Sequence, residues 1–96
     1  MSPKNKKKLN ILRIKLDKLD DKLISLIKTR TNLVNKVVKL KETKKEIIDK
    51  KRISVILKKI KKKSISKNID PDITKRIWKN MIWSYINYER KIFKKK

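Results

Sequence analysis

One stretch of the sequence repeats its apolar residues at helical spacing and contains no helix-breaking residue. From about Leu9 to Lys41, leucine, isoleucine and valine recur every three or four positions and so share one side of an α-helix. The chain has no glycine, and its two prolines, Pro3 and Pro71, lie outside this stretch. The spacing predicts one helix of about 33 residues, which extends about 50 Å at about 1.5 Å per residue.

A helix of this length is poorly suited to a small monomer. A compact domain of 96 residues has a radius of gyration of about 12–13 Å, so the helix would project beyond it with its apolar side chains in water. These side chains require a partner, and the simplest partner is a second copy of the chain. A coiled-coil tether is the alternative, although the later helices are also amphipathic and need a core. The apolar stripe consists of Leu12, Leu16, Leu19, Leu23, Ile27, Val34 and Val37.

The rest of the sequence predicts two further helices, which makes the fold class all-α. A polar segment over residues 42–46 loses the periodicity and predicts a loop, and a second helical stretch covers about 48–63. Asp70 and Pro71 then mark the start of a third helix, since aspartate caps helix N-termini and proline favours the first helical position. This helix is predicted to continue to about Phe93.

The two ends of the chain are predicted to lie outside the helical domain, which spans residues 9–93. Residues 1–8 are polar and lysine-rich and predict a disordered basic tail, and residues 94–96 predict a frayed C-terminus. The N-terminus lacks the apolar segment of a signal peptide, and no run of about 18 apolar residues could span a membrane. With no cysteine for a disulfide, we expect a cytoplasmic protein.

The charge of the chain indicates anionic partners. Its formal net charge is +23, with 32 basic residues, which is typical of proteins that bind nucleic acid, an anionic membrane or an anionic small molecule. A lysine-rich surface can also serve solubility alone. Five of the basic residues are arginines, whose planar side chains favour paired hydrogen bonds to carboxylates. The absence of histidine and cysteine excludes metal sites and nucleophile pairs that are built on those residues.

Four charged residues fall on apolar stripes of the predicted helices. Arg30 and Lys41 share the stripe of the first helix, Arg52 that of the second, and Glu89 that of the third. Each side chain could reach water from the edge of a stripe. If they point inward, however, each needs a partner, because an unpaired buried charge costs several kcal/mol. Three cations and one acid leave an excess positive charge, which favours a small dicarboxylate ligand.

The spacing of basic residues along the first helix suggests that a second chain contributes to this site. Arg30 and Lys41 are about 16 Å apart along the axis, close enough for long side chains to converge on one ligand. Arg13 is about 25 Å from Arg30 and cannot reach the same small ligand within its own chain. In an antiparallel pair of long helices, it could reach the site of the partner.

The order and spacing of these residues resemble the all-helical chorismate mutases (type II, the AroQ class). The segment LRIKLDKLDDKL at 12–23 is similar to the start of the family's first helix, which runs on to Arg30, and Lys41 falls where the family has a lysine. IDKKR at 48–52 resembles the D-x-x-R motif of the second helix, and residues 81–89 resemble part of the third. The matching set is Arg13, Arg30, Lys41, Asp49, Arg52 and Glu89.

The resemblance implies an intertwined homodimeric helical bundle with two equivalent sites and no cofactor or metal. Arg30 and Arg52 would hold carboxylates of the substrate, together with Arg13 from the other subunit. Lys41 would bind a carboxylate and the ether oxygen, to which Glu89 would also donate a hydrogen bond. The implied catalytic residues are Lys41, Glu89 and Arg30, and the implied substrate-binding residues are Arg13, Arg30, Lys41, Asp49, Arg52, Tyr85 and Glu89.

The implied activity is the pericyclic rearrangement of chorismate to prephenate in phenylalanine and tyrosine biosynthesis. This reaction needs no nucleophile, metal or proton transfer, in keeping with the residues that the sequence lacks. Three positions depart from the usual mutase: Ile53 replaces a glutamate, Tyr85 replaces a serine, and Glu89 replaces the commoner glutamine. Ile53 and Tyr85 favour the isochorismate-pyruvate lyases of the same fold, whereas Asp49 favours the mutase. A basic helical nucleic-acid-binding protein is a further alternative.

Overall fold

The computed structural model describes residues 1–94, and within this range it contains helices and no strands. The prediction of an all-α chain with three α-helices, the first of them long, is confirmed. The elements in chain order are α1 (Pro3–Leu40), a short 3₁₀ helix (Lys44–Ile47), α2 (Lys50–Ser66) and α3 (Pro71–Ile92). None of these helices is long and apolar enough to cross a membrane.

The first helix begins earlier than the sequence predicts. Residues 1–8 are predicted to be disordered, whereas α1 starts at Pro3 and continues for 38 residues, about 57 Å at about 1.5 Å per residue. Ser2 provides the local reason, because its hydroxyl oxygen accepts a hydrogen bond from the backbone N–H of Asn5 at 3.2 Å. Pro3 suits the first helical position, and lysine is a good helix former. At the other end of the chain, the predicted frayed terminus lies mostly outside the described residues, since only Lys94 of it is included.

The chain divides into two compact units, of which the first is Met1–Leu33. This unit consists almost entirely of the N-terminal part of α1, and its apolar side chains are exposed to solvent. Leu16 is 57% exposed and Leu23 is 54% exposed, although both lie on the predicted stripe. The stripe is therefore present on the helix but is not covered within this unit.

The second unit starts at Val34 and contains a hydrophobic core. Ile47 of the 3₁₀ helix and Ile82 and Ile86 of α3 are buried together. The partly buried side chains that pack against them are Ile48, Ile53, Ile56, Leu57 and Phe93. The core thus joins the 3₁₀ helix, α2 and α3.

The prediction of a loop over residues 42–46 is wrong in part, because the 3₁₀ helix begins at Lys44. The carboxylate of Glu46 accepts a hydrogen bond from the backbone N–H of Glu42 at 2.9 Å, which closes a compact turn. This turn delivers Ile47 into the core, where it is 3% exposed. Residues 42–46 are polar and show no periodicity, yet they form a defined element, because burial of the following residue, Ile47, holds them in place.

The connection between α2 and α3 is fixed by hydrogen bonds of short side chains. Asp70 caps α3 as predicted, accepting from the backbone N–H of Asp72 at 2.9 Å. The helix α2 continues past its predicted end near residue 63, because Ser64 is buried and bonded. Its hydroxyl donates to the carbonyl oxygen of Ile60 at 2.6 Å and lies 2.7 Å from the hydroxyl of Thr74. The pair of hydroxyls ties α2 to α3.

Candidate functional site

The centre of the candidate site is an ion pair between the end of α1 and the last turns of α3. The ammonium group of Lys41 donates to Oε1 of Glu89 at 3.0 Å. Both side chains are largely withdrawn from water, with exposed fractions of 18% for Lys41 and 10% for Glu89. The two charged residues that the sequence places on the stripes of the first and third helices therefore meet in the second unit.

The local sequence explains why both groups point inward. Glu89 lies three residues after Ile86 and seven after Ile82, so it shares the buried face of α3 with two core residues. Lys41 follows the last residue of α1, and its backbone N–H bonds to the carbonyl oxygen of buried Val38 at 3.1 Å. This turn continues the helix by one residue and holds the start of the Lys41 side chain against the protein.

Because the ion pair is largely buried, each side chain needs the other to compensate its charge. Removing one member of a buried ion pair leaves an uncompensated charge and costs about 3–5 kcal/mol in typical cases. Lys41 has three N–H donors, and Glu89 accepts one of them, so the same ammonium group can also donate to a bound anion. The arrangement therefore supplies a fixed, desolvated donor whose charge is balanced when no ligand is bound.

A second polar link lies beside this pair and was not predicted from the sequence. The Tyr88 hydroxyl donates to Oδ1 of Asn35 on α1 at 2.6 Å. The ring of Tyr88 also meets the ring of Tyr85 edge to face, with centroids 6.4 Å apart. The available signal was the position of Tyr88 directly before Glu89, but nothing in the sequence connects it with Asn35, which is 53 residues away.

Asp49 and Arg52 have exposed side chains at the start of α2. The Asp49 carboxylate caps the helix by accepting from the backbone N–H of Arg52 at 2.9 Å. Arg52 shares a stripe with Ile56 and Ile60 in the sequence, but those isoleucines are half-buried in the chain and Arg52 is exposed. The physical reason is the geometry of the helix. Arg52 lies in the first turn of α2, and the change in side-chain direction between positions 52 and 60 places Arg52 away from the covered face.

The remaining predicted residues are distributed over both units. Arg13 and Arg30 lie on α1 within Met1–Leu33, Arg13 exposed and Arg30 half-buried. Tyr85 is half-buried on α3, one turn before Glu89. Of the predicted set, the structure thus brings Lys41 and Glu89 into contact and places Tyr85 on the same helix as Glu89.

The family of the chain follows from its comparison with known proteins. The model of one family, chorismate mutase type II, matches residues 12–90. This chain belongs to the type II chorismate mutase family. Neither the curated proteins nor the solved structures contain a significant match to it. The matched range contains every site residue that was predicted from the sequence, from Arg13 to Glu89, and the resemblance seen in the sequence is confirmed.

Ile53, where this family member departs from the usual mutase pattern, has a structural role. Its half-buried side chain packs against the cluster of Ile47, Ile82 and Ile86. An apolar side chain at this position contributes to the core and cannot accept a hydrogen bond from a substrate hydroxyl. The position at which the resemblance implies a glutamate in the usual mutase therefore supplies packing in this chain.

A cavity of about 480 Å³ lies between α2 and the first turns of α3, separate from the ion pair. Its apolar lining comes from Ile53, Leu57 and Ile60, with lysines that include Lys58 and Lys61 among the other lining residues. None of the seven predicted substrate-binding residues lines it.

Proposed function

We propose that this chain is a cofactor-free chorismate mutase that converts chorismate to prephenate in the biosynthesis of phenylalanine and tyrosine. The observation that carries the proposal is the buried contact of Lys41 with Glu89 at 3.0 Å, in a chain that the family model matches over residues 12–90. The two residues stand at the positions where the resemblance places the groups that act on the ether oxygen. The cytoplasm is the proposed location of this activity.

The reaction suits a site made of hydrogen-bond donors. In one concerted step the ether C–O bond of chorismate breaks and a new C–C bond forms, while negative charge grows on the ether oxygen. The protein must hold the dianion in its compact diaxial form and place donors where the charge develops. Lys41 provides an ammonium donor in a largely dry environment, where such a donor stabilises the charge more than it would in water.

Glu89 can take part as a donor only when its carboxyl group carries a proton. In the protonated form, one oxygen holds the O–H that points to the ether oxygen, and the other can still accept from Lys41. The contact between Lys41 and Glu89 is thus compatible with both protonation states of Glu89. We propose that the protonated form is the active one.

The substrate carboxylates require further cations, which we propose to be arginines. Arg30 and Arg52 would bind carboxylates of one substrate molecule, and Arg13 would come from a second copy of the chain. Support for the second copy comes from the exposed apolar side chains of α1, because a helix with such a stripe gains stability when a partner covers it. Asp49 and Tyr85 would complete the contacts with the substrate.

A second candidate is an isochorismate-pyruvate lyase, which eliminates pyruvate by a related pericyclic step and releases salicylate. The specific observation in its favour is Ile53, which packs into the core at the position where the usual mutase offers a glutamate to the ring hydroxyl. Both activities would use the same donor pair. The two candidates therefore differ in the substrate that the site accepts.

Product identification tests the proposal. Purified protein is incubated separately with chorismate and with isochorismate, and the products are followed by NMR. Prephenate from chorismate is the expected result. Salicylate and pyruvate from isochorismate, without prephenate, would show that the lyase is correct. No conversion of either substrate, combined with salt-sensitive binding of DNA, would favour the nucleic-acid-binding alternative.

A further inference from the structure

We propose that Tyr88 and Asn35 form a positioning element for the proposed reaction, since their hydrogen bond fixes the end of α1 against α3 and so sets the contact between Lys41 and Glu89. This inference rests on the proposed function. Neither residue would touch the substrate through this hydrogen bond. Their effect on the reaction would pass through the two groups that do.

The geometry of the link is well defined. The distance between the Tyr88 hydroxyl oxygen and Oδ1 of Asn35 is 2.6 Å, a short hydrogen bond between two half-buried side chains. The edge-to-face contact with Tyr85 restricts the orientation of the Tyr88 ring. Because the ring orientation is restricted, the Tyr88 hydroxyl can reach few other hydrogen-bond partners.

The link matters because the hydrophobic core gives α1 little hold on α3. The buried cluster is made by Ile47, Ile82 and Ile86, and the side chains that pack against it come from residues 48–57 and from Phe93. Val38 is the buried apolar residue of α1. The orientation of the last turns of α1 relative to α3 therefore depends strongly on polar contacts.

Two separated contacts define an orientation that one contact cannot. Asn35 precedes Lys41 by six residues, about 9 Å along a helix axis, and Tyr88 is directly followed by Glu89. With both links in place, rotation of the end of α1 about the ion pair is opposed at a second point. Loss of the Tyr88 link removes this restraint, and the ammonium group of Lys41 can move away from the position that the transition state requires.

This inference predicts a loss of kcat with little change in KM. Tyr88→Phe removes the hydroxyl and keeps the ring, and we expect kcat to fall about tenfold, because small displacements of a catalytic group are costly in the transition state. Asn35→Ala should have a similar effect. The double variant should be no slower than the worse single variant, because both substitutions remove the same link.

Thr74→Val is the matched control. It removes a hydrogen bond of similar length, 2.7 Å, that joins α2 to α3 through Ser64, together with a longer one, 3.3 Å, to the carbonyl oxygen of Pro71. We expect it to lower the melting temperature about as much as Tyr88→Phe and to leave kcat unchanged within about twofold. Equal kcat values for Tyr88→Phe and Thr74→Val would overturn the positioning role, because both hydrogen bonds would then serve stability alone.

A crystal structure of Tyr88→Phe provides a readout that does not depend on the enzymatic activity. We expect the distance between the Lys41 nitrogen and Glu89 Oε1 to exceed its present 3.0 Å by about 1 Å or more, and to be unchanged in Thr74→Val. An unchanged distance in Tyr88→Phe would overturn the inference. If the unmodified protein converts neither substrate, the proposed function fails, and this distance alone decides the positioning role.

Discussion

The unit that begins at Val34 buries a cluster of its apolar residues, whereas the part of α1 within Met1–Leu33 leaves its apolar stripe exposed. In the second unit, Ile47, Ile82 and Ile86 are each at most 7% exposed. In the first, the apolar residues named in the stripe reach 58% exposure at Leu19. Yet both units show the same helical periodicity in the sequence. Periodicity therefore shows which face a helix must cover and does not show whether its own chain covers it.

The difference has energetic consequences. Burying one leucine side chain fully stabilises a protein by about 1.5–3 kcal/mol, so the exposed leucines of α1 could contribute as much as the whole stability of a small domain. We propose that a second copy of the chain provides this burial and also brings Arg13 to the site. If so, the stability of the first unit depends on protein concentration. The stability that the second unit gains from contacts within its own chain does not depend on concentration.

Substitution of Lys41 should have the largest effect. Lys41→Ala removes the proposed donor to the ether oxygen, and we expect kcat/KM for chorismate to fall about 100- to 1000-fold, as for loss of a donor to a developing oxyanion. Arg30→Ala should lose activity comparably and remain folded. The matched control is Lys44→Ala, because Lys44 is an exposed lysine on the nearby 3₁₀ helix. Near-normal turnover by Lys41→Ala would exclude the proposed site.

The stripe of α1 can be tested through dimer dissociation. Replacing Leu16 and Leu23 together by alanine should raise the dissociation constant at least about 100-fold, since each leucine buried at an interface contributes a few kcal/mol and 1.4 kcal/mol is a factor of ten. Replacing Lys15 and Lys22 by alanine serves as the control on the same helix. Sedimentation equilibrium measures both. Identical dissociation constants for the two double variants would contradict the assignment of the leucine face to a partner.

The pH dependence tests the proposed state of Glu89. If a protonated Glu89 is the donor, kcat should be lower at high pH than at low pH, because a carboxylate cannot donate a hydrogen bond. Glu89→Gln retains an N–H donor at every pH and should flatten this profile. Glu42→Gln changes an exposed acid and should leave the profile intact. A profile that is the same with glutamate and glutamine at position 89 would refute the donor role.

The two N-caps allow a smaller effect to be assigned to structure or to function. Asp49→Ala and Asp70→Ala should each lower the free energy of unfolding by about 0.5–2 kcal/mol, because each aspartate caps a helix. If Asp49 also binds substrate, its substitution alone should raise KM. Denaturant unfolding and steady-state kinetics measure the two effects. Equal kinetic effects of both substitutions would limit Asp49 to its role as a cap.

The sequence predicted the features that depend on neighbouring residues. The length of α1 follows from apolar spacing without a breaker, and the start of α3 follows from Asp70 and Pro71, whose effects act within one turn. Ser2 is a short-range cap of the same kind, but it was not predicted, because the lysine-rich segment around it was interpreted as a disordered tail. Local patterns thus place the helices well, with errors at the ends where one side chain decides the boundary.

The candidate site was predictable only in part, because it depends on contacts between distant residues. Lys41 and Glu89 could be singled out as charges on apolar faces, and the structure brings them together across 48 positions of sequence. The same reasoning singled out Arg52, which is exposed in this chain, since a stripe does not show how far along a helix its cover extends. The link from Tyr88 to Asn35 had no such signal, because tyrosine and asparagine are ordinary residues on either face of a helix.

The most direct test of the central claim is a crystal structure of the protein with prephenate bound. The proposed function predicts two chains around each ligand, with Lys41 and Glu89 within hydrogen-bonding distance of its oxygens, Arg30 on a carboxylate, and a second chain's Arg13 in the same site. Prephenate bound in the cavity between α2 and α3, or bound by one chain without contact to Lys41 and Glu89, would contradict the account.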